Sequence, residues 1–166
     1  MLTRIRHVGI MVRDMEASLA LYQRLFHLKP SNREELPEYG LRNALLPMEE
    51  TFLELLQPTT DASAGATFLK RRGEGLYILV FQTPDRDAAL AALRLKGAAI
   101  TGTYEGGRFT NLWVHPRSTH GVFIELLEPS RENPWPPGGE GWQRLPRDSI
   151  LKDLKQVVVI VRDLEK

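Results

Sequence analysis

Strand-like and helix-like patterns of apolar residues alternate along the first part of this chain. Residues 5–12 form a short apolar, β-branched run that predicts a strand, and a stretch with helical spacing follows Asp14, which suits a helix N-cap. Three further strands are predicted near residues 29–36, 41–47 and 51–57, with turn-like segments between them. The predicted order is strand, helix and three strands.

The same order recurs in the second part of the chain. A strand is predicted at 76–83 and a helix begins after Asp85, and further strands are predicted near residues 98–104, 109–115 and 121–128. This recurrence predicts two βαβββ modules.

A shared offset supports a duplication of these modules. The heptapeptide at 52–58 (FLELLQP) nearly matches the one at 123–129 (FIELLEP), 71 positions further on, and the same offset relates Asp14 to Asp85. The sequence therefore predicts an α+β domain over residues 1–129, built from modules at 4–58 and 75–129.

The remaining residues break this pattern. Residues 130–149 are rich in proline and glycine and predict a linker or surface loop, with Trp135 and Trp142 pinning it to a core. Residues 151–165 then resemble residues 2–16, so 150–166 is expected to be the start of a truncated further module. Its strand would leave an open edge, which favours either a homodimer or a tandem with a missing C-terminal module.

Composition narrows the classes of function. The chain has 166 residues, of which 42% are apolar and 26% charged, and its net charge is +1, so it lacks the field that attracts nucleic acid. No apolar run reaches the roughly 20 residues of a membrane span, and no signal peptide is recognisable, so a cytoplasmic location is expected. Because there are 0 cysteines, any metal ion would need His, Asp, Glu or Gln ligands.

Two glutamates are the main candidates for chemistry. Strand alternation places Glu54 and Glu125 between large apolar neighbours at equivalent positions of the repeat, where burial of a carboxylate is costly without a positive partner. With His7 on the first strand, they form a donor set for a divalent metal ion. The alternative is that both glutamates point to solvent while the neighbouring leucines face the core; the repeat and His7 favour the site.

Several motifs resemble a known family. The paired Glu-Leu-Leu strands and the opening His-Val-Gly-Ile of residues 7–10 are similar to those of the vicinal oxygen chelate superfamily, which includes glyoxalase I, extradiol dioxygenases and bleomycin-resistance proteins. Residues 33–40, 68–76 and 115–126 resemble stretches of methylmalonyl-CoA epimerases. The resemblance implies a curved mixed sheet around a cleft that holds a small-molecule substrate.

The resemblance also implies a metal site. Its ligands would be His7, Glu54, residue 78 and Glu125, around a divalent ion such as Co, Ni, Mn, Fe or Zn. Residue 78 is Ile78, which has no donor atom, so the ion is expected to bind less tightly or to be absent. A family position for a second acid or base is occupied by Asn43, which cannot accept a proton from carbon.

The resemblance assigns further roles by position. Glu125 would act as ligand and as catalytic base, while four residues would contact the substrate: Asn43, Tyr77, His115 and Arg117. Tyr77 would either donate a proton or pack in the core.

Three hypotheses about function follow. The first is a metal-dependent enzyme of the isomerase or lyase type that removes a proton next to a carbonyl, such as that of an acyl-CoA. The second is a non-catalytic relative that has lost its metal and binds a small molecule in the same cleft. The third is that activity belongs to a longer tandem protein, of which this chain is one part.

Overall fold

The computed structural model describes residues 2–130, 135–146 and 148–161. Those residues contain eight strands and three α-helices. The strands are β1 (Arg4–Met11), β2 (Asn32–Leu36), β3 (Leu41–Pro47), β4 (Phe52–Pro58), β5 (Gly75–Gln82), β6 (Ile100–Glu105), β7 (Phe109–Val114) and β8 (Phe123–Pro129); the helices are α1 (Met15–Phe26), α2 (Ala64–Arg72) and α3 (Arg86–Leu95).

The eight strands form one curled mixed sheet in the order β2-β3-β4-β1-β5-β8-β7-β6. The two modules meet at its centre, where β1 and β5 pair in antiparallel fashion. Within each module the first strand pairs in parallel with the last, β1 with β4 and β5 with β8. The sheet therefore has the two-fold pattern that the sequence repeat predicts, and the predicted fold class is confirmed.

Helices α1 and α3 begin where the sequence predicts. The Asp14 carboxylate accepts a hydrogen bond from the backbone N–H of Ala17 at 3.0 Å, and Asp85 accepts one from Ala88 at 2.8 Å. Each helix packs with apolar residues of its own module on the convex side of the sheet. The cleft face of the sheet has a separate core, because residues alternate between the two faces along each strand.

The segment after the second module belongs to this cleft-side core. The side chains of Trp135 and Trp142 are 0% and 1% exposed, and both pack among cleft-facing residues of the sheet. This proline- and glycine-rich segment is therefore anchored in the core through Trp135 and Trp142, in agreement with the predicted pinning by tryptophan.

The end of the chain differs from the predicted strand. Residues 151–161 form neither strand nor helix, so the strand expected at the start of a further module is not found among the described residues. The tail instead bonds to the first module, because Glu49 N–H donates to the carbonyl of Lys152 at 2.7 Å and Leu154 N–H donates to Thr51 Oγ1 at 2.8 Å. A further module and a homodimer stay predictions.

None of the helices in the described part of the chain has the length and apolar composition that crossing a membrane requires.

Candidate active site

Strand register places the three predicted metal ligands on the cleft face of the sheet. His7 on β1 is paired with Phe52, two residues before Glu54 on β4. On its other side His7 is paired with Val80, which is in turn paired with Glu125 on β8. His7 and Glu125 therefore lie two strands apart in one row, about 10 Å between backbones.

His7 and Glu54 are in direct contact. His7 Nε2 lies 3.3 Å from Glu54 Oε2, and the two residues are only 4% and 8% exposed. Gly9 lies beneath this pair, and a Cβ at this position would collide with Ile78 Cγ2 and lie 3.1 Å from Glu54 Oε2. The absence of a side chain at Gly9 therefore gives Glu54 and Ile78 the space that they occupy.

An asparagine holds each of the two carboxylates. Asn43 Nδ2 donates to Glu54 Oε1 at 2.8 Å, and Asn111 Nδ2 donates to Glu125 Oε1 at 2.6 Å. In both modules the asparagine stands two residues before the cross-strand partner of its glutamate. The predicted substrate contact Asn43 does line the cleft, but its amide nitrogen is engaged with Glu54.

Asn111 is a residue of the cavity wall that the sequence pattern did not reveal. The first asparagine precedes its glutamate by 11 residues and the second by 14, because a longer connection joins β7 to β8. The constant offset of 71 therefore does not pair Asn43 with Asn111. A search that allowed a three-residue insertion in this connection would have found the second asparagine.

The environment of Glu125 favours its protonated form. Burial raises the pKa of this carboxyl group, and the negative charge of Glu54 raises it further. The charge of His7 and the hydrogen bond from Asn111 act in the opposite direction but do not cancel the effect of burial. Glu125 thus keeps its proton to a higher pH than an exposed glutamate does.

These groups surround a small cavity of about 240 Å³, the carboxylate cavity. Its walls include the two glutamates, the two asparagines, His7 and Pro137, and its aromatic side contains Tyr39 and Trp113, whose rings meet edge to face at 5.8 Å. His7 Nδ1, Asn43 Oδ1 and Asn111 Oδ1 are buried and have no hydrogen-bond partner within the described residues. The residues around the cavity therefore carry both acidic groups and buried polar atoms that lack a hydrogen-bond partner within the described residues.

The donor set does not fit a complete metal centre. No group of three His, Asp or Glu side chains in the described residues is arranged to hold a metal ion. Ile78 fills the position of the fourth ligand with a buried, 6% exposed apolar side chain. His7 Nδ1 also has no partner among these residues, whereas metal-bound imidazoles normally donate this second N–H to a neighbour.

Two of the other predicted substrate contacts line a second cavity of about 460 Å³, the aromatic–basic cavity. Tyr77 and His115 contribute to its wall, together with Phe68, Phe123, Arg71 and Arg72. The Tyr77 ring meets those of Phe68 and Phe123 edge to face, at 5.2 and 5.8 Å. Burial raises the pKa of Tyr77, so its hydroxyl group stays protonated at neutral pH.

Arg117 is exposed in a short 3-10 helical turn, Pro116–Ser118, and lines neither of these cavities. Its backbone N–H donates to His115 Nδ1 at 3.0 Å, which ties the imidazole ring to the same turn. The structure therefore divides the predicted site residues among the carboxylate cavity, the aromatic–basic cavity and a surface turn. The roles assigned to them stay predictions.

The curled eight-stranded sheet of two βαβββ modules matches the vicinal oxygen chelate fold. The model of the glyoxalase-like domain family matches residues 5–166, and the chain belongs to this family.

Known relatives are similar to the chain over the two modules. The ethylmalonyl-CoA/methylmalonyl-CoA epimerase of Cereibacter sphaeroides is 28% identical over 131 residues, covering 76% of this chain and 98% of the relative. The human mitochondrial methylmalonyl-CoA epimerase is 29% identical over 129 residues, covering 75% of this chain and 73% of the relative.

Solved structures of methylmalonyl-CoA epimerases are also similar to this chain. A Streptomyces coelicolor methylmalonyl-CoA epimerase variant in complex with 2-nitronate-propionyl-CoA has a TM-score of 0.73 and 32% identity, covering 78% of this chain and 99% of that one. The Mycobacterium tuberculosis methylmalonyl-CoA epimerase has a TM-score of 0.72 and 30% identity, covering 79% and 91%. About a fifth of this chain thus lies outside the alignments with these structures.

Proposed function

We propose that this protein binds an acyl thioester and exchanges the proton on the carbon next to the thioester carbonyl. The observation that carries the proposal is the meeting of Glu54, His7 and Glu125 at the wall of one small cavity. The likeness to methylmalonyl-CoA epimerases, whose names specify acyl-CoA substrates, supports the same class of reaction.

Glu125 is the proposed base. A carboxylate with a raised pKa is a stronger base than an exposed one, and a base works best when its pKa approaches the working pH. Glu125 faces the cavity, and its hydrogen bond from Asn111 fixes the orientation of the carboxylate. In the ionised form it removes the α-proton of the bound thioester and then returns this proton to the carbon.

Glu54 and His7 line the same cavity. Their contact at 3.3 Å places the imidazole beside the Glu54 carboxylate. The His7 imidazole is a candidate group for binding the thioester carbonyl of the ligand. A divalent metal ion at His7, Glu54 and Glu125 stays a separate prediction, since Ile78 leaves the donor set incomplete, and no step of the proposed reaction passes through it.

The aromatic–basic cavity is suited to the tail of the thioester. The Phe68, Tyr77 and Phe123 rings offer an apolar wall, while Arg71 and Arg72 at the end of α2 and His115 supply the basic groups. None of the described residues that line this cavity is acidic. A ligand with a phosphorylated tail, such as coenzyme A, has the complementary charge.

Hydrogen exchange tests the proposed reaction directly. Methylmalonyl-CoA is incubated with the protein in D₂O, and loss of the α-proton signal is followed by proton NMR against a sample without protein. We expect exchange with the wild-type protein and a loss of about 100-fold or more in Glu125→Gln. Glu38→Gln, which changes a carboxylate in the wall of the same cavity, is the matched control and should retain exchange.

A second function is favoured by two specific replacements. Ile78 stands at a ligand position and Asn43 at a base position of the epimerase pattern, which is what a non-catalytic small-molecule binder would tolerate. Calorimetric titration with methylmalonyl-CoA separates the two functions. Binding without α-proton exchange would identify a binding protein and contradict the proposed catalysis, whereas the absence of both would contradict the proposed ligand.

A further inference from the structure

The two ends of the cleft differ, although the repeat makes them equivalent. Phe52 and Phe123 occupy the same position in their modules, 71 residues apart, and both lie on the cleft face. Phe52 is 0% exposed, and the Trp142 ring meets it edge to face at 4.8 Å. Phe123 is only partly buried and lines the aromatic–basic cavity. The cleft is therefore filled at the Phe52 end and open at the Phe123 end.

The filling comes from residues 135–142, which follow the two modules. A Cβ at Gly138 would lie within 2.8 Å of the Phe52 ring and 2.9 Å of Trp142, so only glycine fits between the two rings. The Arg6 guanidinium lies 4.7 Å from the centre of the Trp135 ring and 5.9 Å from that of Trp142. These contacts fix the segment on the first module.

The same segment reaches the residues of the proposed reaction. The Trp135 ring lies edge-on to the His7 imidazole, with 5.6 Å between ring centres and 72° between planes. Pro137 lines the carboxylate cavity together with Glu54 and Glu125, and its carbonyl accepts a hydrogen bond from Asn32 Nδ2 at 3.1 Å. Residues 135–142 are thus a wall of the site as well as a cover of the core.

We propose that residues 135–142 close the Phe52 end of the cleft, so that an acyl thioester binds in one direction only, with its acyl group against Pro137 and its tail leaving past Phe123. Phe123 and Glu125 lie on one face of β8, about 7 Å apart along the strand, so the open end lies next to the Glu125 carboxylate. The direction of binding and the position of the acyl group against Pro137 rest on the proposed function, whereas closure of the Phe52 end of the cleft does not.

Chemical modification of histidine tests the closure without any substrate. Diethyl pyrocarbonate labelling is followed for each histidine by peptide mass spectrometry. His7 should react more slowly than His27, His115 and His120, which are exposed and serve as internal standards. Trp135→Ala should raise the rate at His7 alone, and Trp135→Phe, which keeps an aromatic ring, should raise it less.

Two results would overturn the closure. One is labelling of His7 in the wild-type protein as fast as labelling of the three exposed histidines. The other is an unchanged His7 rate in a Trp135→Ala variant whose circular dichroism matches that of the wild type. Should Trp135→Ala fail to fold, the wild-type rate and the Trp135→Phe rate still decide the matter.

Ligand discrimination tests the direction of binding. Pro137→Phe should weaken ethylmalonyl-CoA about tenfold more than methylmalonyl-CoA, because one extra methylene meets the enlarged wall. Pro146→Phe places the same side chain at an exposed proline nearby and should leave the ratio unchanged. Thr67→Trp, in the wall of the aromatic–basic cavity, should weaken methylmalonyl-CoA but spare the short N-acetylcysteamine thioester of methylmalonate.

The outcomes separate this proposal from the proposed function. An unchanged discrimination ratio in Pro137→Phe, or equal weakening of long and short thioesters in Thr67→Trp, would overturn the direction while leaving thioester binding intact. Failure of the wild-type protein to bind any of these thioesters would contradict the proposed function, and with it the direction. Closure of the Phe52 end would then still be decided by the histidine labelling.

Discussion

The two modules of this protein keep the same strands but have diverged at equivalent cleft positions. The first module carries His7 where the second carries Ile78, and its Phe52 is completely covered whereas Phe123 borders a cavity. The carboxylates are the exception, since Glu54 and Glu125 are each held by an asparagine in the same register. The comparison indicates that the acidic centre is shared, while its surroundings differ between the modules.

The largest expected effect distinguishes the two phenylalanines. Phe52→Ala should lower the free energy of unfolding by about 3–5 kcal/mol, because it leaves a cavity between the sheet and Trp142. Phe123→Ala removes the same atoms from a partly open position and should cost roughly half as much or less. Urea unfolding of both variants measures the difference, and equal costs would show that the two ends of the cleft are packed alike.

The difference between His7 and Ile78 is tested by making the modules more alike. Ile78→His adds an imidazole above Gly9, beside Glu54, and should increase the affinity for Co²⁺ by about tenfold or more. Isothermal titration calorimetry of the wild type, of Ile78→His and of the apolar control Ile78→Leu gives the dissociation constants. The same constant in all three proteins would mean that residue 78 does not face His7 and Glu54.

Much of the comparison between the two modules can be predicted from the sequence, and there are physical reasons why the rest cannot. Alternation along each strand predicts that Glu54 shares a face with Phe52 and Glu125 with Phe123, and the repeat predicts that the two glutamates occupy equivalent positions. The sequence does not predict how neighbouring loops differ in length, so Asn111 was not matched to Asn43. It also does not predict that Pro137 reaches the carboxylate cavity, since a proline- and glycine-rich composition indicates turns without indicating what they cover.

At the C-terminal tail the sequence predicts a strand that the structure does not contain. Residues 151–161 repeat a strand pattern of the first module, yet they form no strand in the structure. A strand needs a partner edge, and Val158 and Ile160 are 72% and 94% exposed with no sheet beside them. A strand pattern therefore forms no strand here, where no strand of the described residues pairs with it.

A smaller effect is expected from the pH dependence of stability. The pKa of Glu125 is higher in the folded than in the unfolded protein because of burial, so its favourable contribution is complete below the unfolded pKa. This contribution is lost as the pH rises to the folded pKa, by at most about 1.4 kcal/mol per pH unit. The unfolding free energy of the wild type relative to Glu125→Gln should fall over this window in urea titrations. Equal pH slopes would contradict burial of the carboxyl group.

The smallest expected effect concerns the contact of the C-terminal tail with the first module. Thr51 is 4% exposed, and its hydroxyl accepts from Leu154 N–H and donates to Asp153, whereas the equivalent position of the second module is Val122. Thr51→Val makes the modules alike here and should cost about 1 kcal/mol of unfolding free energy, with Thr59→Val as an exposed control. Hydrogen exchange should rise at Leu154 in the first variant only. Unchanged exchange at Leu154 would show that the tail is held in place without this hydroxyl group.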